Sequence, residues 1–291
     1  MRGVKGTGAA VLKIAAILLV AALLAWAGSQ GGRRAFGMPV FALCGAVCFA
    51  LNWLVFVPSL AARTERYYDL TGSLTCLLVV ALALAFGNRD PRSLLLGVLV
   101  AAWALRLGSY LFARILREGA DRRFDALKQD PSRFLLAWTL QGLWVFLTAS
   151  CALAAMTTAS PAPPDPLAAL GAGVWAAGFA IEVAADRQKA VFRAHPHQRD
   201  RFIATGLWAW SRHPNYFGEI LLWTGVALAA LPALSGSALA TLVSPLFVYV
   251  LLTRVSGVPL LEARADAKWG EDPAYQAYKA RTPVLWPRRP A

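Results

Sequence analysis

Charged side chains are scarce in this sequence, and acidic ones most of all. Only 15% of the 291 residues are charged, and the 16 acidic residues are outnumbered by 29 basic ones, which leaves a net charge of +13. Apolar residues make up 58% of the chain. They form blocks of about twenty residues, the length that spans a hydrocarbon core of about 30 Å. The sequence therefore argues against a soluble domain and predicts a polytopic membrane protein.

Cysteine and histidine are also rare, and neither is arranged for metal binding. The four cysteines fall within apolar blocks, where they behave as small hydrophobic residues and predict no disulfide framework. His195 and His197 have no cysteine or carboxylate at ligand spacing, and Pro196 interrupts the local helix. We therefore predict no metal site.

Several motifs of soluble enzymes are missing. There is no internal repeat, glycine-rich phosphate loop, Walker sequence or Gly-x-Ser-x-Gly elbow. The basic residues lie in short loops between apolar blocks, a pattern that favours anionic lipid and an anionic cofactor over nucleic acid.

Eight apolar blocks are expected to be helical, because a backbone crossing lipid must satisfy its own hydrogen bonds. They lie at roughly residues 9–27, 38–60, 70–86, 93–112, 134–156, 166–185, 214–231 and 238–255. The first is too long for a signal-peptide core and is read as a span. The last two are short and joined tightly at Pro232, so a hairpin that does not fully cross is an alternative. The fold class is therefore all-α, with seven to eight transmembrane helices and a cytoplasmic amphipathic C-terminal segment.

The distribution of lysine and arginine orients these helices. If every block crosses, all but five of the 29 basic residues lie on one side, which is then cytoplasmic. The exceptions are Arg33, Arg34, Arg89, Arg92 and Arg106. We therefore expect a multi-pass protein of the cell inner membrane with both termini in the cytoplasm.

The strongest polar pattern lies at residues 205–225, where an aromatic loop enters an apolar helix. Pro214 suits the first position of a helix. Asn215, Glu219 and Trp223 then recur every four residues and share one face. A carboxylate inside an apolar segment is costly unless it faces protein or a cavity, so Glu219 is a candidate site residue.

Arg212 and His213 precede that helix start, where unpaired N–H groups and the helix dipole suit an anionic phosphate. An interfacial anchor is the alternative, and it would account for Trp208 and Trp210. It would not account for Asn215 and Glu219.

Two earlier spans carry similar intramembrane charges. Glu182 and Asp186 lie one turn apart near the end of the sixth block, with Arg193 two turns further on. Such carboxylates need partners, and ribose hydroxyls or basic side chains would serve. In the fourth block, Arg106 requires an acidic partner or a phosphate, and Tyr110 follows four residues later.

The boundary after the second block has a polar and aromatic patch. Glu65, Tyr68 and Asp69 fall on one helical turn, where a carboxyl group and a phenol can donate hydrogen bonds to a carbonyl. An interfacial belt with charge pairs is the alternative.

The second half of the chain resembles the C-terminal domain of the steroid 5α-reductase family, in its prokaryotic branch of membrane proteins. The similar motifs cover roughly residues 180–287. They are Glu182-x-x-x-Asp186, Arg193, Thr205-Gly-Leu-Trp208, Ser211-Arg-His-Pro-Asn-Tyr-Phe-Gly-Glu219, Val255-Ser-Gly-Val-Pro-Leu-Leu-Glu262 and the closing Tyr-x-x-Tyr-x-x-x-Thr-Pro. The resemblance implies a membrane domain over residues 134–291 that holds NADPH in a cavity facing the cytoplasm. It also implies reduction of the C=C bond of an enone or related lipophilic substrate.

The resemblance also implies roles for single residues. The positions where this family binds its cofactor correspond to Asp186, Arg193, Arg201, Asn215, Glu219 and Arg254. Glu182 stands where the steroid enzymes usually have an amide. Residues 1–133 would supply the groups that polarise the substrate, with Glu65 as the candidate for the family's substrate-binding glutamate. The family's tyrosine falls near Trp103, and Tyr68 and Tyr110 are its nearest replacements.

Hydride addition to an enone leaves negative charge on its carbonyl oxygen, so such a site needs donors aimed at that oxygen and a dry cavity. We predict Glu65, kept protonated by apolar surroundings and assisted by Tyr68, as that donor. The C-terminal stretch around Trp269, Tyr275 and Tyr278 is expected to cover the site from the cytoplasm.

Two other functions remain open. An S-adenosylmethionine-dependent membrane methyltransferase of the isoprenylcysteine type would share Arg-His-Pro-x-Tyr, but it need not have a carboxylate four residues after Asn215. A scaffold without activity would leave the intramembrane charges unexplained.

Overall fold

The computed structural model describes residues 2–163, 165–198 and 200–290, and it confirms the all-α fold class. Ten α-helices follow one another in these residues. Their bounds are α1 Arg2–Gly28, α2 Val40–Ala61, α3 Tyr68–Phe86, α4 Pro91–Glu118, α5 Pro131–Thr157, α6 Pro166–Ala194, α7 Pro214–Ala230, α8 Val243–Val250, α9 Val258–Trp269 and α10 Pro273–Arg281. The only sheet in the described residues is a hairpin of two short strands, β1 Arg34–Ala35 and β2 Met38–Pro39.

Eight helical segments of the described chain are long and apolar enough to cross a membrane. The protein is therefore a multi-pass membrane protein, as predicted. The last of these segments, Gly236–Trp269, is not one regular helix. It passes from a 3₁₀ stretch at Gly236–Leu242 through α8 to a π-helical turn at Leu251–Val255, and then into α9. Arg254 lies within that π-helical turn, a feature often found at functional sites.

Asp-Pro pairs begin four of the helices. The proline occupies an early helical position that needs no backbone donor, while the aspartate accepts the free N–H groups of the first turn. The Asp90 side chain accepts hydrogen bonds from the backbone of Arg92 and Ser93. The pairs are Asp90-Pro91, Asp130-Pro131, Asp165-Pro166 and Asp272-Pro273.

The chain divides into two compact units, each made from two stretches of sequence. The first unit comprises Met1–Ala168 and Val226–Ser244, and the second comprises Ala169–Gly225 and Pro245–Ala291. The boundary at residues 133 and 134, which came from the family resemblance, stays a prediction.

In the first unit α5 is the central helix. It packs against α1, α2, α3 and α4, and 72% of the residues in an apolar 18-residue stretch of this helix are buried. A polar cluster joins it to α2 and α3. The Gln141 amide donates to Asn52 Oδ1 at 2.9 Å and to the Tyr68 carbonyl at 2.8 Å, and Asn52 donates to Thr75 Oγ1 at 3.4 Å. These buried amides satisfy one another, which sets the relative register of three spans.

Arg92, at the start of α4, joins the loop before α6 to the end of α7 in the same unit. Its buried guanidinium donates to the carbonyl oxygens of Ala162 at 3.2 Å, Pro163 at 2.6 Å and Ala229 at 2.6 Å, and it pairs with Asp165 at 3.1 Å. One arginine therefore satisfies the carbonyls of an irregular loop and of the end of α7, which would otherwise be costly to bury.

Candidate functional site

Within the second unit, α6 and α7 lie in backbone contact. A methyl group added at Gly178 would be 2.5 Å from the backbone nitrogen of Leu222 and 2.6 Å from the carbonyl oxygen of Gly218. One added at Gly225 would be 2.6 Å from the carbonyl oxygen of Gly171. Glycines spaced by seven residues on both helices thus permit an approach that no larger residue allows. This pattern was not among the predictions from the sequence, although the seven-residue spacing of the glycines is visible there.

Because of this contact, the acidic residues predicted on α6 lie next to the first turns of α7. A methyl group at Gly218 would lie 2.7 Å from the backbone nitrogen of Glu182, so the turn of Glu182 rests on the turn that begins with Gly218 and Glu219. Glu182 is 3% exposed and Asp186 is 8% exposed, whereas Asn215 and Glu219 are partly buried. Oxygen-rich side chains are thus concentrated at one end of the helix pair.

The three arginines predicted to bind phosphates also belong to this unit. Arg193 lies in the last turn of α6, Arg201 in the connection that follows it and Arg254 in the π-helical turn. All three are exposed, and within the described residues their side chains form no hydrogen bond or ion pair. Their charges remain available to an anion.

Arg212 and His213, the other two basic residues predicted to bind the cofactor, both contact a carboxylate of α9. His213 Nε2 lies 2.9 Å from Glu262 Oε1, and Arg212 pairs with Glu262 Oε2 at 3.1 Å. The His213 ring also stacks on Tyr216 at 5.6 Å. These contacts attach the C-terminal segment to the start of α7. The assignment of Arg212 and His213 to a cofactor phosphate stays a prediction, and Arg212 Nε and His213 Nδ1 are buried without a hydrogen-bond partner in the described residues. Pro214 begins α7, as predicted.

The loop before α7 holds that segment through its backbone as well. Arg212 N–H donates to the Pro283 carbonyl at 2.9 Å, and Ser211 Oγ donates to the Leu285 carbonyl at 2.9 Å. Tyr278 donates its hydroxyl proton to the Trp208 carbonyl at 2.7 Å. Burial raises the pKa of Tyr278, which keeps this donor protonated.

The same loop is attached to α6. Trp208 Nε1 donates to the Ala185 carbonyl at 3.1 Å, and Lys189 lies over the Trp208 ring at 4.7 Å. The aromatic loop thus joins α6 to the C-terminal segment. The interfacial-anchor alternative does not describe Trp208, which is buried, although it still fits the exposed Trp210.

Glu65 and Tyr68 belong to the first unit, and both are engaged there. Glu65 is 4% exposed; its Oε1 accepts the Asp121 N–H at 2.7 Å and its Oε2 pairs with Lys128 at 2.6 Å. Burial alone would lower the pKa of Lys128, but hydrogen bonds and charge from Glu65 and Asp125 raise it, so this lysine is charged. Glu65 therefore acts here as an acceptor, in an ion pair that fastens the loop between α4 and α5.

Tyr68 is part of an aromatic cluster. Its ring lies 4.7 Å from that of Phe124 and 5.1 Å from that of Trp138, and its hydroxyl donates to the Ala137 carbonyl at 2.9 Å. The role of Glu65 and Tyr68 as substrate-polarising donors stays a prediction, and their contacts point to a structural role. Tyr110, the other tyrosine of this region, is partly buried and lies under the guanidinium of Arg106 at 5.4 Å.

Comparison with known proteins gives one result. A family described as "Protein of unknown function (DUF1295)" matches residues 55–282, which include Glu65, both acidic residues of α6 and the loop before α7. The chain belongs to this family. No curated protein and no solved structure matches it.

Proposed function

We propose that the protein is an NADPH-dependent reductase that delivers a hydride to the C=C bond of a lipophilic enone. The observation that carries this proposal is the buried pair Glu182 and Asp186, which the backbone contact of α6 and α7 brings to the turn of Asn215 and Glu219. Carboxylates are costly inside a membrane protein, so a cluster of them marks a functional site.

The chemistry of this cluster fits a pyridine nucleotide. Carboxylate and amide oxygens accept hydrogen bonds from ribose hydroxyls and from a carboxamide, while cations bind phosphates. Glu182, Asp186, Asn215 and Glu219 would supply the acceptors. Arg193, Arg201 and Arg254, which are exposed, would hold the phosphates. The cofactor, when bound, supplies the hydride.

The remaining requirement is a donor for the carbonyl oxygen of the substrate, on which negative charge develops. Glu65 accepts hydrogen bonds from Lys128 and from the Asp121 amide, so it could meet this requirement only as the neutral acid, with one of those contacts released. Tyr68 would have to leave the Ala137 carbonyl. Tyr110 is the next candidate in the first unit.

The motif Arg-His-Pro-x-Tyr, which resembles both the reductases and the isoprenylcysteine-type methyltransferases, gives no support to the methyltransferase alternative. Arg212 and His213 are the basic residues of that motif, and they fasten the C-terminal segment through Glu262. A structural motif of this kind is compatible with either cofactor. The carboxylates of Glu182, Asp186 and Glu219 favour NADPH over S-adenosylmethionine, because NADPH has two riboses whose hydroxyls can donate to them.

Calorimetry on the detergent-solubilised full chain tests the proposal with NADPH, NADH and S-adenosylmethionine. We expect NADPH to bind and S-adenosylmethionine not to bind. Glu219→Gln and Glu182→Gln should each weaken NADPH binding by about 1–3 kcal/mol, the contribution of one charge-assisted hydrogen bond. Glu271→Gln removes an exposed carboxylate of the same unit and is the matched control.

Equal NADPH affinity in the parent protein and in both site variants would remove the cofactor assignment. Binding of S-adenosylmethionine alone would replace it with the methyltransferase. With NADPH bound, oxidation of the nucleotide on addition of a lipophilic enone then tests the reaction itself.

A further inference from the structure

A second feature of α6 is an open cleft of about 580 Å³ along its last turns. Arg187, Gln188 and Val191 of α6 form one wall, and Ile203, Thr205 and Gly206 of the following segment form the other. At 100° per residue, this wall of α6 lies on the face opposite to Glu182, Asp186 and Arg193. The cleft is therefore separate from the proposed cofactor site.

Its position along the helix matches the surface of a bilayer. The apolar part of α6, residues 166–185, has the length of about 30 Å that spans a hydrocarbon core. Ala184, at the inner end of the cleft, belongs to the last apolar turn. Arg187, Gln188 and Val191 follow at the depth where lipid headgroups begin.

The cleft has both apolar and charged lining residues, as expected at the boundary between acyl chains and headgroups. Ala184, Val191, Phe192 and Ile203 provide apolar surface, and Val191 is 54% exposed. Arg187 is exposed and has no ion pair with any residue that the structure describes. A lasting positive charge next to apolar surface, at headgroup depth, is complementary to an anionic amphiphile.

The second wall is held in place by a specific contact. Gln188 Oε1 accepts the Leu207 N–H at 2.9 Å, and a methyl group at Gly206 would lie 2.7 Å from that oxygen. Gly206 has a φ of +61°, a conformation that favours glycine. The cleft is thus built by a fixed turn and is not a gap between loosely packed segments.

We propose that this cleft binds the headgroup of an anionic phospholipid, with Arg187 on the phosphate, Thr205 and the His195 ring as further hydrogen-bond donors, and the acyl chains running from Val191 past Ala184 into the bilayer. The binding site does not depend on the proposed reductase activity.

Native mass spectrometry of the detergent-solubilised full chain tests this with dioctanoyl-phosphatidylglycerol and dioctanoyl-phosphatidylcholine. The parent protein should bind phosphatidylglycerol more tightly. Arg187→Gln should weaken phosphatidylglycerol binding about fivefold, the expected effect of one arginine at a membrane surface. It should weaken phosphatidylcholine binding less, because the choline cation offsets the phosphate charge that both headgroups share. Arg193→Gln removes an exposed arginine from the other face of α6 and should leave both affinities unchanged.

Two outcomes would overturn the proposal: equal binding of the two lipids by the parent protein, or equal phosphatidylglycerol loss in Arg187→Gln and Arg193→Gln. A third arm adds sn-glycerol 3-phosphate as competitor. If sn-glycerol 3-phosphate binds as tightly as phosphatidylglycerol, the cleft is a site for soluble phosphates instead. If it displaces phosphatidylglycerol only weakly, the lipid is supported as the ligand. Arg187 is exposed, so its replacement leaves the fold intact.

Discussion

The Glu65 carboxylate accepts an amide N–H and pairs with Lys128, so its two oxygens have different neighbours. Glu65→Gln keeps an acceptor for the Asp121 amide but leaves Lys128 without its closest counter-charge. We expect the free energy of unfolding to fall by about 1–3 kcal/mol, the cost of leaving a buried charged hydrogen bond unmade. Thermal unfolding of the parent and variant in the same detergent measures this.

A charge swap separates the structural role of Glu65 from the predicted catalytic one. The double variant Glu65→Lys, Lys128→Glu rebuilds the ion pair with its partners exchanged, although it removes the acceptor of the Asp121 N–H and places a carboxylate beside Asp125. A structural role therefore predicts partial recovery of stability, with NADPH-linked turnover recovering alongside it. A double variant that regains stability but turns over on the order of a hundredfold more slowly would instead show that Glu65 acts on the substrate.

The pairing of α6 with α7 depends on glycines at the contact. Gly178→Ala places a methyl group against the backbone of Leu222 and Gly218, where no flexible side chain can move aside. The helices must separate, and overpacking of this kind costs about 1–3 kcal/mol. We expect a lower unfolding temperature and weaker NADPH binding, because the turn of Glu182 moves away from Gly218.

Gly173 provides the matched control on the same helix. A methyl group there would have no atom within 4 Å, so Gly173→Ala should keep the parental stability or gain slightly through helix propensity. If Gly178→Ala and Gly173→Ala unfold at the same temperature, the close approach of α6 and α7 does not occur in the protein.

For the whole molecule, the charge distribution predicts that both termini face the cytoplasm. Ser160 and Ser235 are exposed residues in connections that are predicted to lie on the opposite side, whereas Gln276 is exposed in α10. Ser160→Cys and Ser235→Cys should react with a membrane-impermeant maleimide in intact spheroplasts, and Gln276→Cys only after permeabilisation. The four native cysteines are buried and should contribute little background. Labelling of Gln276→Cys in intact spheroplasts would place the C-terminal segment outside the cytoplasm and contradict the predicted topology.

The membrane class, the helical fold and most helix starts follow from the sequence alone. Apolar blocks of the right length must be helices in lipid, and Asp-Pro pairs mark where four of them begin, because both signals act through neighbouring residues. The acidic pair Glu182 and Asp186 on α6 and the pair Asn215 and Glu219 on α7 were also visible, since residues four apart on a helix share a face.

The partners of each side chain were decided only by the tertiary structure. Glu65 and Lys128 are 63 positions apart, and His213 and Glu262 are 49 apart, so no local spacing could pair them. The sequence made Glu65 available to a substrate and His213 available to a cofactor, and in the fold each contacts a side chain of its own unit. The glycine contact of α6 with α7 is similar, because the seven-residue spacing is in the sequence but the facing backbone is not. An ion pair or a close packing depends on which segments meet, and that is a property of the folded chain.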